Sequence, residues 1–259
     1  MEVLLRPGEV LEELLGSGYR IIQSRRGYRY SLDSVLLAHF ASSLPGRSAL
    51  ELGMGNGAAS LLLARRRGEV KILGLELQED LASQAQRSVV LNGLEGRVSV
   101  LVADWRAGPR LLSPNSFDLV LANPPYRAIG SGRSSPRQQV ALAKHGPQGG
   151  LEDLLRAAFW ALRARGTLAL IYHCSGLAGL IVSLRQAGLE PKRLRLVHSF
   201  PESEAEFALV SARKGARPEL KALPPLILYT GRGRRQPSLE LEVIYGSFRA
   251  ERSNASQAV

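Results

Sequence analysis

The tetrapeptide Asn123-Pro124-Pro125-Tyr126, which we call the proline corner, directly follows an apolar run at residues 117–122. Two consecutive prolines end a strand and fix a rigid turn, because proline has no amide hydrogen to donate. The Asn123 side-chain oxygen and the Pro124 carbonyl can accept the two N–H groups of a planar amine, and Tyr126 can stack on the flat group that carries it. Positioning and fixed dipoles then activate the amine without a metal or a strong base. The corner is predicted to be catalytic; a plain Pro-Pro turn is the alternative.

A glycine-rich loop follows the run at residues 48–52 and precedes a leucine-rich helix. Glycines let the backbone pass close to a ligand, and the start of a helix offers free N–H groups. The spacing alone also fits a dinucleotide site of the form G-x-G-x-x-G/A. Glu51 favours a different ligand, because a carboxylate immediately before the glycines repels a pyrophosphate and suits a cation such as S-adenosylmethionine. The residues predicted to bind this cofactor here are Glu51, Gly53, Gly55, Asn56 and Gly57, together with Asn123 of the corner.

Two further carboxylates follow the next predicted strands. Glu76 lies nineteen positions after Gly57, where a carboxylate can accept hydrogen bonds from both ribose hydroxyls. Asp104 can accept a hydrogen bond from an adenine amino group, and Leu77 or Trp105 can pack on the adenine ring. An isolated aspartate is more often a helix cap, but carboxylates after successive strands favour the cofactor site.

Short leucine-rich or β-branched runs alternate with segments of helical spacing from residue 48 onward. This alternation predicts an α/β fold with a mostly parallel sheet, helices on both faces, and ligands at the carboxyl ends of the strands. The predicted strands are 48–52, 70–77, 98–103, 117–122, 167–172, 192–198 and 206–213, and the predicted helices are 58–67, 79–92, 151–164 and 177–187.

The N-terminal flank differs from the alternating core. Residues 19–25 and 28–30 predict a small hairpin around Arg26-Gly27, followed by a helix at 32–42. The polar residues at the C-terminal end predict a frayed segment. The expected units are an extension at 1–47 packed on the core, a core domain at 48–245 and a flexible tail at 246–259.

Composition limits the class of protein. The chain has 259 residues, of which 45% are hydrophobic and 22% charged, a balance typical of globular domains. It has neither an apolar run long enough to cross a bilayer nor a secretory signal, which predicts a cytoplasmic protein. A single cysteine, Cys174, excludes an internal disulfide framework and a cysteine-based zinc site. The formal net charge of +11 suits a polyanion such as nucleic acid, although arginine-rich codon usage is an alternative.

The motifs E-L-G-M-G-N-G, G-L-E-L-Q and L-A-N-P-P-Y resemble those of class I S-adenosylmethionine-dependent amino methyltransferases. The likeness extends, through residues 28–38, 79–94, 143–145 and 191–198, to the bacterial tRNA N6-adenine methyltransferases that modify the adenosine next to the anticodon of valine tRNA. The resemblance implies a Rossmann-like fold with a seven-stranded sheet whose last strand is antiparallel. It also implies that Ser31 and Asp33 lie near the methionine end of the cofactor. Gly146 departs from the family pattern, which has a glutamate there.

Charge and resemblance together predict an RNA substrate, and the resemblance implies that it is tRNA. Residues 127–150 carry little regular pattern, and we interpret them as a flap that folds over the substrate; a solvated loop is the alternative. The residues predicted to contact RNA are Arg133, Arg137, Lys144, His145, Lys192 and Arg193.

The predicted reaction is methyl transfer to the N6 amine of an adenosine splayed out of a tRNA loop, with S-adenosylhomocysteine as product and no metal. Other interpretations stay open. Glutamine N5 methylation of a peptide-release factor uses the same tetrapeptide, but those enzymes carry a separate helical N-terminal domain. Adenine or guanine methylation of ribosomal RNA or DNA shares the chemistry, and a non-catalytic RNA-binding module is a different class. A NAD-dependent oxidoreductase is least favoured, because Glu51 is unfavourable for a pyrophosphate.

Overall fold

A mixed β-sheet forms the centre of the protein in a computed structural model that describes residues 5–124, 150–231 and 235–249. Its strands alternate with helices along the chain, as the sequence predicts. The strands are β1 (Glu9–Glu13), β2 (Arg20–Ser24), β3 (Ser48–Leu52), β4 (Lys71–Glu76), β5 (Val98–Val102), β6 (Phe117–Ala122), β7 (Leu162–His173), β8 (Leu189–His198), β9 (Ala205–Lys214), β10 (Lys221–Ala222) and β11 (Leu226–Ile227). The helices are α1 (Leu32–Ser42), α2 (Ala58–Arg66), α3 (Glu79–Leu91), α4 (Gly108–Leu111), α5 (Leu151–Ala161), α6 (Leu177–Gln186) and α7 (Leu239–Gly246).

The sheet order is β10-β8-β9-β7-β6-β3-β4-β5, with β11 also paired to β8. Strand β9 is antiparallel to both of its neighbours, and the other pairings in this sheet are parallel. The predicted Rossmann-like sheet of seven strands, with the last one antiparallel, is confirmed. Strands β10 and β11 are additions to it, and they have only two residues each, too few to show a periodic pattern.

The order of the strands reverses at β3, which lies between β4 and β6. Leu52, the last residue of β3, pairs with Leu75 on one side and with Ala122 on the other. The carboxyl ends of β3 and β6 therefore lie side by side. Open α/β sheets bind their ligands at the carboxyl ends of the strands, where the strand order reverses.

Alternate residues of the central strands pack against helices on opposite faces of the sheet. Leu119 and Leu121 of β6 belong to the core that α1, α2 and α7 cover, whereas Val120 and Ala122 belong to the core under α5 and α6. All four side chains are fully buried. Burial on both faces explains why the central strands appear in the sequence as continuous apolar runs.

The N-terminal hairpin forms between β1 and β2, so the predicted pairing of residues 19–25 with 28–30 is wrong. Gly27 does not adopt the positive φ that a two-residue hairpin turn requires. Strand β2 instead pairs with β1, which precedes it in the chain, and packs on α3, where the Ile22 N–H donates to Ser88 Oγ at 2.9 Å. Glu9 of β1 forms an ion pair with Arg87 of the same helix. These contacts fix the extension on the core.

The C-terminal segment packs more closely than the sequence predicts. Phe248 is fully buried, with its ring edge-to-face against His39 at a centroid distance of 6.3 Å. Residues 246–249 of the expected tail therefore belong to the packed part of the structure, and residues 250–259 lie outside the described part of the chain. Within that part, no helix is long and apolar enough to cross a membrane.

Candidate active site

The glycine-rich loop has a backbone conformation that only glycine adopts easily. Gly53, Gly55 and Gly57 have φ values of 73°, 58° and 86°, all in the left-handed region. The N–H groups of Gly53 and Met54 both donate to the carbonyl of Leu75, at 2.9 and 3.0 Å, which ties the loop to β4. Gly57 then starts α2. The loop is therefore held open at the edge of the sheet, between β3 and the helix.

Glu76 is oriented by the backbone on both sides of it. Its two carboxylate oxygens accept hydrogen bonds from the N–H groups of Gly55 and Gln78, each at 2.8 Å. The side chain is only 5% exposed. A carboxylate oxygen can accept more than one hydrogen bond, so this geometry is compatible with the predicted contact to ribose hydroxyls.

Glu51 is a buried carboxylate at the end of β3, 4% exposed. Ser60 of α2 donates a short hydrogen bond to it. Burial raises the pKa of Glu51 to about 7, and the nearby charge of Glu76 adds to the rise. Among the described residues, no Lys or Arg forms an ion pair with Glu51. A buried negative charge without a cationic partner favours the binding of a cation.

Asp104 follows β5 and is paired with Arg106. Its Oδ1 accepts hydrogen bonds from the backbone N–H and from Nε of Arg106, both at 2.9 Å, and this holds the pKa of Asp104 below its usual value. The carboxylate thus caps the short 3-10 helix at Trp105–Ala107, which is the structural role that the sequence left open.

Trp105 is only 7% exposed and packs in the core, whereas Leu77 is half-buried. Of the two predicted adenine-packing residues, Leu77 has the more open surface.

The Asn56 side chain is directed to the hairpin. It is fully buried, and its Nδ2 donates to Gln23 Oε1 at 3.3 Å. The side chain therefore fixes the glycine loop against β2, which leaves the Asn56 backbone for any contact with a ligand.

Asp33 and Ser31 lie at the start of α1. Burial raises the pKa of Asp33, a hydrogen bond with Ser31 opposes the rise, and the charge of Glu206 adds to it. Asp33 lies within electrostatic range of the Tyr28 hydroxyl, and so do Glu51 and Glu76. Charged residues of α1, β3 and β4 therefore all act on the Tyr28 hydroxyl. Sequence reasoning gave Tyr28 no role, although it lies in one of the stretches that carry the family resemblance.

The first half of the proline corner follows β6 at this same edge. Because Ala122 pairs with Leu52 of β3 and with Leu170 of β7, Asn123 and Pro124 emerge between the glycine loop and the end of β7. His173 and Phe207, at the adjoining ends of β7 and β9, pack edge-to-face at 5.7 Å. Sequence reasoning did not predict this contact, because the register between β7 and β9 determines it. The predicted residues Pro125, Tyr126, Arg133, Arg137, Lys144 and His145 lie outside the described residues.

Lys192 and Arg193 are not brought to the corner. They lie on β8, which is separated from β6 by β9 and β7. Lys192 Nζ lies 3.7 Å from a carboxylate oxygen of Glu219, and Arg193 stacks over Phe40 at 5.4 Å from the ring centroid. Contact of these two residues with a large RNA, away from the reacting base, stays a prediction.

Comparisons with known proteins agree with this architecture. A family model described as a methyltransferase domain matches residues 49–131. A tRNA1(Val) (adenine(37)-N6)-methyltransferase of Shewanella halifaxensis is 30% identical over 73% of this chain and 73% of its own length. A protein of the same name from Glaesserella parasuis is 30% identical over 70% of this chain and 80% of its own length.

Solved structures show the same fold. A protein from Agrobacterium tumefaciens, described as a predicted O-methyltransferase, is 25% identical in sequence to this chain. The match covers 86% of this chain and 99% of that protein, with a TM-score of 0.67. The [4+2]-cyclase SpnF superposes with a TM-score of 0.54 at 18% identity, which is a likeness of fold only.

The sheet order, the glycine loop and these matches show that the chain belongs to the class I S-adenosylmethionine-dependent methyltransferases. Within that class it resembles the tRNA1(Val) (adenine(37)-N6)-methyltransferases, at about 30% identity over most of its length.

Proposed function

We propose that this methyltransferase acts on the N6 amine of an adenosine in tRNA, next to the anticodon. The observation that carries the proposal is the position of Asn123 and Pro124, which follow β6 directly beside the glycine loop. An asparagine and a proline carbonyl at that place provide the two acceptors that an exocyclic amine needs. The names of the relatives support tRNA and adenine as the substrate, and the net charge of +11 supports a polyanion.

S-adenosylmethionine supplies a methyl group on a positively charged sulfur. The residues present suit such a ligand along the whole crevice. Glu51 offers an uncompensated negative charge to the cationic end, with Ser31 and Asp33 nearby at the start of α1. Glu76 would accept hydrogen bonds from the ribose hydroxyls, and Asp104 would accept one from the adenine amino group.

The proline corner holds the substrate amine. Asn123 and the Pro124 carbonyl would accept its two N–H groups and so direct the nitrogen lone pair toward the methyl carbon of a bound donor. Pro125 keeps the turn rigid, and Tyr126 stacks on the splayed base. The amine loses one proton to solvent after transfer. The flap residues Arg133, Arg137, Lys144 and His145 contact phosphates near the reacting base, in the cytoplasm where tRNA is found.

The names of the relatives favour this substrate over a peptide-release factor. Ribosomal RNA or DNA remains the next substrate to test, because the amine chemistry is the same.

Incubation of the protein with radiolabelled S-adenosylmethionine and total RNA from a strain lacking this gene tests the proposal. We expect label in tRNA that digests to N6-methyladenosine. The Asn123→Ala variant should lose more than 99% of this turnover and keep its cofactor affinity within about threefold, because its role is in the reaction. Label in protein, or near-normal turnover by the variant, would contradict the proposal.

A further inference from the structure

Tyr28 reaches into the candidate cofactor site from the N-terminal extension. The hydroxyl end of its ring lies against Gly55: a Cβ placed on that glycine would be 3.0 Å from Cε1 and 3.2 Å from the hydroxyl oxygen. Gly55 is also the residue whose N–H orients Glu76. The ring is therefore part of the wall of the crevice, beside the glycine loop.

Tyr28 is 43% exposed as a residue, and the hydroxyl end of its ring lies against the glycine loop. Glu51 and Glu76 are close enough to act on the hydroxyl electrostatically. Burial and then these two charges raise the pKa of Tyr28 to about 12, so the phenol stays neutral at physiological pH. A cation drawn to Glu51 consequently arrives next to an uncharged aromatic ring.

The segment that carries Tyr28 is fixed at both of its ends. Gln23 Oε1 accepts from Asn56 Nδ2 in the glycine loop and from the Tyr30 N–H, at 3.3 and 3.1 Å. Arg29 forms an ion pair with Glu12, which also accepts from Gln23 Nε2 at 2.8 Å. Gln23 is fully buried, so this network joins the hairpin to the loop in one arrangement. Tyr28 is thus positioned before any ligand binds.

The geometry points to Tyr28 as a cofactor-binding residue that selects the positively charged sulfur of S-adenosylmethionine over the neutral sulfur of S-adenosylhomocysteine. This inference rests on the proposed placement of the cofactor in the crevice. An aromatic ring attracts a desolvated cation through its quadrupole, whereas it gains nothing comparable from a thioether. Selection of this kind also favours exchange of the spent product for fresh cofactor.

Isothermal titration of the whole chain with each of the two compounds tests the inference through the ratio of their dissociation constants. We expect Tyr28→Leu to lower the preference for S-adenosylmethionine about tenfold, which lies between the values for exposed and fully desolvated cation–π contacts. Tyr28→Phe keeps the ring and should hold the preference within about twofold. Tyr19→Leu, on the same extension but packed against Arg65, is the matched control and should leave the ratio unchanged.

Thermal unfolding of each variant shows whether it is folded, and Tyr28→Met serves as a second ring-deleted variant if Tyr28→Leu is not. An unchanged ratio in a folded ring-deleted variant would overturn the inference, and so would an equal loss in Tyr28→Phe. These outcomes are separate from failure of the proposed function. If the cofactor does not bind in the crevice, the unmodified chain would bind neither compound, and if only the proposed substrate is wrong, it would bind both.

Discussion

The two ends of the candidate cofactor crevice hold their carboxylates in opposite ways. At one end, Glu51 is almost fully buried, has a raised pKa, and has no Lys or Arg paired with it among the described residues. At the other end, Asp104 is half-buried, has a lowered pKa, and is paired with Arg106. The difference indicates that the Glu51 end keeps a charge available for a cationic group. At the other end, Arg106 neutralises the charge of Asp104, so Asp104 offers only a hydrogen-bond acceptor.

Replacing Glu51 with glutamine should have the largest effect and separates binding from folding. The change keeps the shape of the side chain and removes its charge, so the affinity for S-adenosylmethionine should fall about 100-fold, as expected for loss of one partner of a buried charge pair. Unliganded, the variant should be more stable at pH 8. A carboxyl whose pKa rises on folding loses stability as pH increases from its unfolded value through about 7, and glutamine removes that loss.

The gain in the free energy of unfolding should be on the order of 2–3 kcal/mol. Calorimetric titration at pH 8 measures the affinity, and urea unfolding at the same pH measures the stability. Urea unfolding repeated at pH 5, where the native carboxyl is protonated, is the control and should show a smaller difference between the two proteins. Tight binding by the glutamine variant would remove Glu51 from the cofactor site.

The titration of Glu51 alone should determine how cofactor affinity depends on pH. Below pH 7 the Glu51 carboxyl takes up a proton and no longer attracts a cation, so binding of S-adenosylmethionine should be about tenfold weaker at pH 6 than at pH 8. Asp104 stays ionised throughout this interval, because its pKa is lowered. Dissociation constants measured across the interval test this expectation. The Glu51→Gln variant should give a flatter profile, and an equally steep one would assign the titration to another group.

The same contrast shows what the sequence could predict. Glu51, the glycines and Glu76 lie within twenty-six residues of one another and follow strands with clear apolar patterns, so their convergence follows from chain order. The bounds of α1, β3 and β6 were also predicted to the residue, because polar, glycine or proline residues flank each of them.

Features that depend on long-range contacts were not predicted. Strand β1 has no strong β pattern of its own, and it is held by ion pairs from Glu9 to Arg87 and from Glu12 to Arg29. The wrong hairpin hid the position of Tyr28, because the path of residues 25–31 over the glycine loop depends on which strand pairs with β2. Asp104 is a milder case: its place after β5 was predicted, but its pairing depends on the rotamer of Arg106.

Replacing Asp104 with asparagine should have a smaller effect than the loss of Glu51. Asparagine can still accept from the Arg106 N–H, so the cap survives, but the hydrogen bond to an adenine amino group weakens and affinity should fall three- to tenfold. The loss should be equal for S-adenosylmethionine and S-adenosylhomocysteine, because both carry the same adenine. This equality distinguishes the Asp104 end from the Glu51 end, where the charge of the sulfur matters.

The Arg106→Ala variant is the matched control, since it removes the ion pair and leaves the carboxylate in place. Arg106 is 40% exposed at its side chain, so its removal should change stability by less than about 1 kcal/mol and cofactor affinity by less than about threefold. Titration of both variants with both compounds decides between the two roles of Asp104. If Asp104→Asn keeps full affinity, Asp104 is only a cap; if Arg106→Ala loses as much as Asp104→Asn, the ion pair itself shapes the adenine end.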